Sequence, residues 1–405
     1  MKLDILQKVE GEVRLHYRFK DSFIEHVEIE FVHYRGIEEI LKGRDLFDAL
    51  VINPRICGIC GHSHLIATAK AIEDIVDFRI TNKAYLIREI TLSSELIQNH
   101  IKWLYLVILP LLEKLGFKKI DFLKALSKAS VANKIIAIFG GQYPHTSYAL
   151  AGGVVCDPTN LDILKALNFL NEVREFYNSF VLDRIEGFDD FLKKRGVLKD
   201  IFLFLKRRKL LNIAKAHDRF LYLEKGKKII GVKELKADTK YLKEIKSSLG
   251  YAKSVTYKDK FYEVGSIARM MDKKFIKDLH RRYKDSLFTR IAARVYEIGV
   301  LLDRMEDNLK KLDLSEKSYL KFDRKISGFG EGVIEAPRGS LIHRVWANQG
   351  KIERYQIITP TQFNLSNGTK ENPSPAQKAI VGLSSESLAE LVFRSFDICS
   401  VCTTH

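Results

Sequence analysis

The hydrophobic pattern changes period several times along the chain, and each change marks an element. Val13, Leu15, Tyr17 and Phe19 alternate with polar residues, Lys20-Asp21-Ser22 reads as a turn, and Val27, Ile29 and Phe31 alternate again. A period of two with one apolar face predicts a hairpin buried on one side. From about residue 64 to 115 the period is helical, with Pro110 a local interruption, and a second helical stretch covers about 121 to 138. Gly140 to His145 and Gly152-Gly153 then break the pattern, which places two loops close together between helices. A helix is expected from Asn160 to about Arg184. The Lys-rich stretch 185–260, with short apolar runs such as Ile201 to Leu205, reads as a peripheral subdomain within a single domain spanning 1–405.

The clearest periodicity follows. Phe288, Ile291, Val295, Ile298, Leu302, Met305 and Leu309 recur at three- and four-residue steps, one stripe of a long central helix. After Ser327 the chain turns glycine-rich and β-like, with strands expected over Ser340 to Ala347 and Ile352 to Thr359, joined at Asn348-Gln349-Gly350-Lys351. Ser374 to Ile380 and Glu386 to Phe396 read as helices. The expected fold is therefore α+β, mainly α: a large multihelical core with small antiparallel sheets from the N- and C-terminal segments.

Composition narrows the function without naming it. With 405 residues, 46% hydrophobic and 29% charged, the chain has ample material to enclose a site, and no apolar run reaches membrane-spanning length. The net charge of +16 comes from Lys spread along the chain rather than gathered in a motif, which argues against nucleic acid as a partner. Met1-Lys2-Leu3-Asp4 opens no secretory signal, and five cysteines are too few for a disulfide framework. A cytoplasmic location fits; peripheral membrane association or export alongside a partner would need no signal on this chain.

The chemistry lies in two Cys-x-x-Cys pairs at opposite ends: Cys57 and Cys60 within Arg55 to His64, and Cys399 and Cys402 within Asp397 to His405. This spacing lets two thiolates reach one metal from a single turn. Structural zinc sites space such pairs by about 15 to 20 residues, far closer than here. A redox disulfide in one pair would leave the distant pair unexplained. Cys156 stands alone and reads as a buried small residue.

At these residues the chain resembles the large, catalytic subunit of nickel–iron hydrogenases, over nearly its whole length. The family's Arg-x-Cys-Gly-x-Cys-x-x-x-His is met by Arg55, Cys57, Gly58, Cys60 and His64. Its Asp-Pro-Cys-x-x-Cys-x-x-His is met by Asp397, Cys399, Cys402 and His405, with Ile398 in place of proline. The resemblance implies that all four cysteines bind nickel, that Cys60 and Cys402 bridge to an iron carrying carbon monoxide and two cyanides, and that H2 is split there heterolytically. Soft thiolate suits nickel where oxygen ligands would not.

Further matches carry implied roles. Lys8-Val9-Glu10-Gly11 resembles Arg-Ile-Glu-Gly, making Glu10 the carboxyl that exchanges protons with a nickel-bound cysteine such as Cys399. Arg35-Gly36-Ile37-Glu38 makes Glu38 a ligand of a structural magnesium, shared with His405 and the backbone carbonyl near Ile357. Glu335-Ala336-Pro337-Arg338-Gly339 places Pro337 and Arg338 over the open side of the metals, where Arg338 donates to a cyanide or polarises hydrogen. Pro360-Thr361-Gln362-Phe363-Asn364 matches only partly, leaving Thr361 as donor to the second cyanide while Gln362 and Phe363 depart from the pattern. Gly141 to His145 and Val264 to Arg269 resemble loops that pack near the site, and His64 and His145 are given supporting roles. Around Asn99-His100 the family often has Asp-His with a further histidine; here Asn99 and Trp103 stand there, which leaves Asp397 as the acid above the metals.

The resemblance also implies partners. After four cysteines bind the metals, Cys156 alone cannot hold an electron-transfer cluster, so a small subunit with iron–sulfur clusters is required. Maturation proteins, including a protease that cuts just after a terminal histidine such as His405, are expected too. A hydrogen sensor of low turnover is the alternative within the family. His405 argues against the membrane-bound energy-converting type, the cysteines exclude the related respiratory subunit, and a zinc-stabilised RNA-binding scaffold is the outsider.

Overall fold

The structure, a computed structural model, describes residues 2–6, 12–223, 237–247 and 249–399. Strands β1 (Lys2–Leu6), β2 (Val13–Lys20) and β3 (Phe23–Phe31) form an antiparallel sheet in that order. Its register pairs Val13 with Phe31, Leu15 with Ile29 and Tyr17 with Val27. The alternating residues of both strands thus share one face, and all six are at most 1% exposed. The turn residues Asp21 and Ser22 both adopt left-handed φ, as a two-residue hairpin loop needs. Phe19 departs from the expected pattern. The register shifts between Arg18 and Phe19, and Phe19, on the buried face by simple alternation, is 39% exposed.

Two short helices, α1 (Ile37–Leu41) and α2 (Ala49–Ile52), lead to α3 (Gly61–Asp74) and α4 (Asn82–Trp103). The stretch expected as one helical run from 64 to 115 is therefore broken between 74 and 82, where Thr81 caps α4 by accepting from the Ala84 amide. A wide π turn, Leu104–Ile108, then precedes α5 (Leu109–Lys114). Pro110 accounts for it, because the ring clashes with the carbonyl four residues back and offers no N–H.

Helix α6 (Leu123–Gly140) is followed by the two-residue strands β4 (Ala149–Leu150) and β5 (Gly153–Val154), then α7 (Asn160–Phe176). Helix α7 carries a Thr159/Asp162 capping box and passes into a second π turn, Tyr177–Val181, short of Arg184. In the Lys-rich stretch, α8 (Phe188–Phe191) and α9 (Val197–Arg207) place Phe191 5.1 Å from Phe275 and Phe202 5.2 Å from Phe288, measured between ring centroids. Strands β6 (Leu242–Ile245) and β7 (Ser254–Tyr257) pair with each other. Helices α10 (Ser266–Met270) and α11 (Lys274–Tyr283) lead to the central α12 (Leu287–Lys310), whose seven stripe residues are all at most 1% exposed.

The last sheet is β10-β9-β8, built from β8 (Gly328–Ala336), β9 (Gly339–Asn348) and β10 (Lys351–Ile358). Strand β8 went unread in the sequence because its glycines hide the alternation. Helices α13 (Pro360–Asn364), α14 (Pro375–Ile380) and α15 (Glu386–Ser395) complete the fold. Among the described residues no helix is long and apolar enough to cross a membrane.

Those glycines position the site. A Cβ added at Gly332 would lie 2.0 Å from the Ala67 carbonyl oxygen, one at Gly330 2.0 Å from that of Ala71, and one at Gly328 3.2 Å from the Ile75 side chain. Two strand residues advance about 6.6 Å and four helix residues about 6 Å, so β8 and α3 run in step and in opposite directions. The end of β8, which leads into Pro337-Arg338, is thereby carried to the start of α3, just after Cys60. Replacing Gly332 with Ala is expected to lower the unfolding free energy by about 1–3 kcal/mol, visible as a drop in thermal midpoint. A midpoint equal to the parent's would show that β8 does not require this approach.

Candidate metal centre

Cys57 lies in extended conformation just after a 3-10 turn, Asn53–Ile56, and Cys60 stands at the N-cap of α3. The Cys57 sulfur accepts from the amides of Ile59 and Cys60, both at 3.3 Å, an arrangement that favours thiolate. Cys399 follows α15 after Asp397, whose left-handed φ of 61° turns the chain inward. The sulfurs of Cys57 and Cys399 are 3.5 Å apart, and those of Cys57, Cys60 and Cys399 all lie within 4.8 Å of one another. All three are buried and none is in a disulfide. Metal–thiolate bonds of about 2.3 Å separate two ligands of one ion by roughly 3.5–3.8 Å at near-tetrahedral angles, so this spacing suits a shared metal. Cys402, His405 and Glu10 lie outside the described residues.

Arg338 closes one side. Its turn is held by close backbone crossing: a Cβ at Gly265 would come within 2.8 Å of the Arg338 carbonyl oxygen, and one at Gly339 within 2.5 Å of Val264. Arg338 is 6% exposed; its Nε is 3.2 Å from Asp397 Oδ2, yet among the described residues neither Nε nor Nη1 has a hydrogen-bond partner. Burial opposes its charge, but Asp397 and the three cysteine sulfurs hold its pKa well above the usual value. A buried cation with two unspent donors beside three sulfurs fits a metal group that brings its own hydrogen-bond acceptors. Thr361, buried near the start of α13, likewise has an unpartnered Oγ1. Gln362, where the family pattern is left, instead accepts the Thr359 amide and donates to Glu244. Pro337 contributes its carbonyl oxygen, which accepts from Arg269 and Arg294.

An ion network extends from this point. Asp397 Oδ2 accepts from Arg294 Nη2 at 2.5 Å; Arg294 donates to His100, and His100 meets Glu297. Glu297 and Glu335 both accept from Arg269. Burial works against ionised Glu297, but Arg269 and His100 hold its pKa well below the usual range. Arg294 is pushed down to about 10 by burial, with Asp397 resisting. A cavity of about 20 Å³, room for one water, lies between Arg294, Arg338, Glu263 and Arg290.

Sequence reasoning missed Glu95. It is fully buried on α4 and accepts from the amides of His62 and Ser63, both at 3.0 Å, and from the Ser63 hydroxyl. It therefore caps the helix that begins at Cys60. Burial pushes its carboxyl up to about 8 against those hydrogen bonds. Polar residues are common along α4, so nothing in the sequence singles Glu95 out. Tyr143, from the loop expected to pack near the site, accepts from Gln98 and donates to the Ile59 carbonyl at 2.7 Å, while His145 reaches the Pro54 carbonyl oxygen at 3.1 Å. Arg35 donates to the carbonyls of Arg55 and Ile56, bracing the same turn.

Glu38 and Ile357 do meet: Glu38 Oε1 accepts the Ile357 amide at 2.8 Å, and Lys253 lies between Glu38 and Glu244 at 3.3 and 3.5 Å. His64 joins a buried chain through His343 to Tyr355. Cys156, expected to be buried, is only half-buried beside exposed Val155, 3.9 Å from the Ile138 carbonyl oxygen. The short strand before it ends at Val154, so the residue sits on a loop at the mouth of a surface cavity.

Two histidines set an acid limit. Burial pushes His62 down to about 3 and His100 to about 4. Below the ordinary pKa of about 6.5 the unfolded chain binds protons that the folded chain refuses, so stability is lost as pH falls through 6.5 toward 4. Each group contributes up to about 1.4 kcal/mol per pH unit there. His100→Gln is expected to flatten the fall of thermal midpoint between pH 6.5 and 4.5; an unchanged slope would show that His100 is protonated in the fold.

A family model described as nickel-dependent hydrogenase matches residues 35–109 and 186–405. The whole chain aligns at 23% identity with the periplasmic NiFeSe hydrogenase large subunit of Desulfomicrobium baculatum, covering 94% of it. It aligns, again over its whole length, at 25% identity with sulfhydrogenase 1 subunit alpha of Pyrococcus furiosus, covering 97%. The fold matches the Ni-Fe-Se hydrogenase from D. vulgaris Hildenborough in the reduced state with a TM-score of 0.87, at 20% identity and with 100% of both chains covered. The resemblance read from the two cysteine signatures is borne out, and the chain belongs to the nickel-dependent hydrogenase family.

Proposed function

We propose that this chain is the catalytic subunit of a hydrogenase that splits H2 heterolytically and passes the electrons to a small subunit carrying iron–sulfur clusters. The observation that carries the reading is the buried trio Cys57, Cys60 and Cys399 facing an arginine, Arg338, with two unspent N–H groups. Cys57, Cys60 and Cys399, with Cys402 as the fourth thiolate, would hold the nickel–iron group, which would supply the place where hydrogen is split. Three buried thiolates alone would suit structural zinc equally; a buried arginine with free donors has no task beside zinc.

The chain's own residues then have definite work. Arg338 and Thr361 offer donors to the two cyanides of an iron that also carries carbon monoxide. The fixed charge of Arg338 stabilises negative charge as it develops. Pro337 holds the turn that presents it, and Asp397 fixes its orientation. A cysteine sulfur, Cys399 or Cys402, takes the proton and hands it to Glu10. Glu38 and the Ile357 carbonyl oxygen, with the His405 imidazole nitrogen, would hold magnesium. No cluster ligands remain on the chain beyond Cys156, so electrons must leave through the partner. Maturation proteins would load such a centre, and five cysteines, too few for a disulfide framework, suit a reducing compartment such as the cytoplasm.

The test is direct. Chain purified with its partner is expected to hold one nickel and one iron, to show carbon monoxide and cyanide infrared bands, and to reduce a dye with H2; zinc alone, or active protein without those bands, would overturn the reading. Cys399→Ser should lose nickel. Arg338→Lys, which keeps the charge but loses the fork, should retain metal and slow dye reduction by about 100-fold.

A further inference from the structure

We propose that Arg294 is a positioning residue of this site: it holds the Asp397 carboxylate to one side and so keeps two N–H groups of Arg338 free to face the metal-binding sulfurs. The inference rests on the nickel–iron reading above.

Arg294 is fixed from four directions. It is 4% exposed on α12, and its Nη2 donates to Asp397 Oδ2 at 2.5 Å, Asn99 Oδ1 at 3.0 Å and the Pro337 carbonyl at 3.2 Å. Its Nε donates to His100 Nδ1 at 2.8 Å, and its guanidinium lies 4.7 Å from the centre of the Trp103 ring. Because His100 accepts at Nδ1, its proton resides on Nε2, which donates to Glu297 at 2.9 Å. Glu297 is held in turn by two nitrogens of Arg269. Nothing in this chain can rotate without breaking a buried charge-assisted bond, which costs about 1–3 kcal/mol.

Arg338 is placed differently. The same carboxylate oxygen stands 3.2 Å from its Nε without hydrogen-bond alignment, and Nε and Nη1 have no hydrogen-bond partner among the described residues. A carboxylate between two guanidiniums engages the better aligned one, and here that is Arg294. Without Arg294, Asp397 would be a buried anion with Arg338 as its nearest cation. Pairing would then consume the donors that the site needs. The left-handed backbone at Asp397 fixes its Cα, leaving side-chain rotation as the available response.

The experiment compares Arg294→Met, Arg294→Lys, Asp397→Asn and the double variant Arg294→Met with Asp397→Asn, each purified with the partner subunit. Nickel content and thermal midpoint are recorded first, then cyanide band positions, then kcat and KM for dye reduction by H2. Arg294→Met is expected to keep its nickel, to shift the cyanide bands and to lower kcat about 10–100-fold with little change in KM. The double variant should show the bands and rate of Asp397→Asn alone, because the effect passes through Asp397. Additive losses, or parental bands in Arg294→Met, would overturn the proposal. If Arg294→Met does not assemble, Arg294→Lys carries the test: it keeps a charge beside Asp397 but cannot donate to His100 and Asp397 together, and unshifted bands there also overturn it. A parent protein lacking nickel and cyanide bands would refute the nickel–iron reading instead, a separate result.

Discussion

The site depends on how closely one strand lies against one helix. Gly330 and Gly332 let the backbone of β8 rest on the carbonyls of Ala67 and Ala71, closer than any side chain permits. Because the two elements advance at matching rates in opposite senses, fixing them at mid-length fixes their ends. One end is the turn carrying Cys57 and Cys60; the other is the turn carrying Pro337 and Arg338. A second crossing, Gly265 against Arg338 and Gly339 against Val264, pins that arginine from the other side. Cys57, Cys60 and Arg338 thus share one rigid frame, with Glu95 holding the first turn of α3.

Burial of so much charge needs balance. Arg269, Arg294 and Arg338 face Glu297, Glu335 and Asp397, three of each sign, all within the interior. Isolated charges there would cost several kcal/mol apiece, and the pairing offsets that cost without adding net charge beside the cysteine cluster. Asn99 keeps the count even. An aspartate at that position would leave one unmatched negative charge where only Arg294 could answer it, which would draw Arg294 from Asp397. The amide accepts the same hydrogen bond without that pull. Neutral His100 is part of the same economy, since a proton at Nδ1 would point at Arg294.

Much of this was legible in the sequence, and the rest was not for physical reasons. The hairpin, the stripe of α12 and the strands joined at Asn348 to Lys351 follow from period alone, because each has one face in water or one face in the core. The two Cys-x-x-Cys pairs identified the chemistry, since few sites place soft ligands at both ends of so long a chain. Strand β8 was hidden because glycine carries no hydropathy, and its role is contact by absence of a side chain. Phe19 was misplaced because a register shift leaves no mark on composition. The role of Glu95 and Arg294 depends on which residues tertiary packing sets opposite them. Both helices carry many other charged and polar residues, so position in the sequence does not mark these two as buried.

The distance between the cysteine pairs has an energetic consequence. Cys57 and Cys399 are 342 residues apart in sequence and 3.5 Å apart at sulfur. Closing a loop of that length costs about 5 kcal/mol of chain entropy, and the fold meets it by docking α15: the Trp103 indole donates to the Arg394 carbonyl at 2.9 Å, while Leu391, Val392 and Phe393 are wholly buried. A metal bound by thiolates from both ends adds its binding energy to the docked state only, because the undocked chain offers it one pair at most. Metal binding at these thiolates would therefore favour the seated last helix, and a seated helix would favour metal binding. Asp397 lies at its hinge, since the same left-handed residue that turns Cys399 toward Cys57 also brings a carboxylate to Arg294. Docking thus brings the Asp397 carboxylate to Arg294 and the Cys399 sulfur to Cys57 through the same short segment, which ties the seating of the last helix to both.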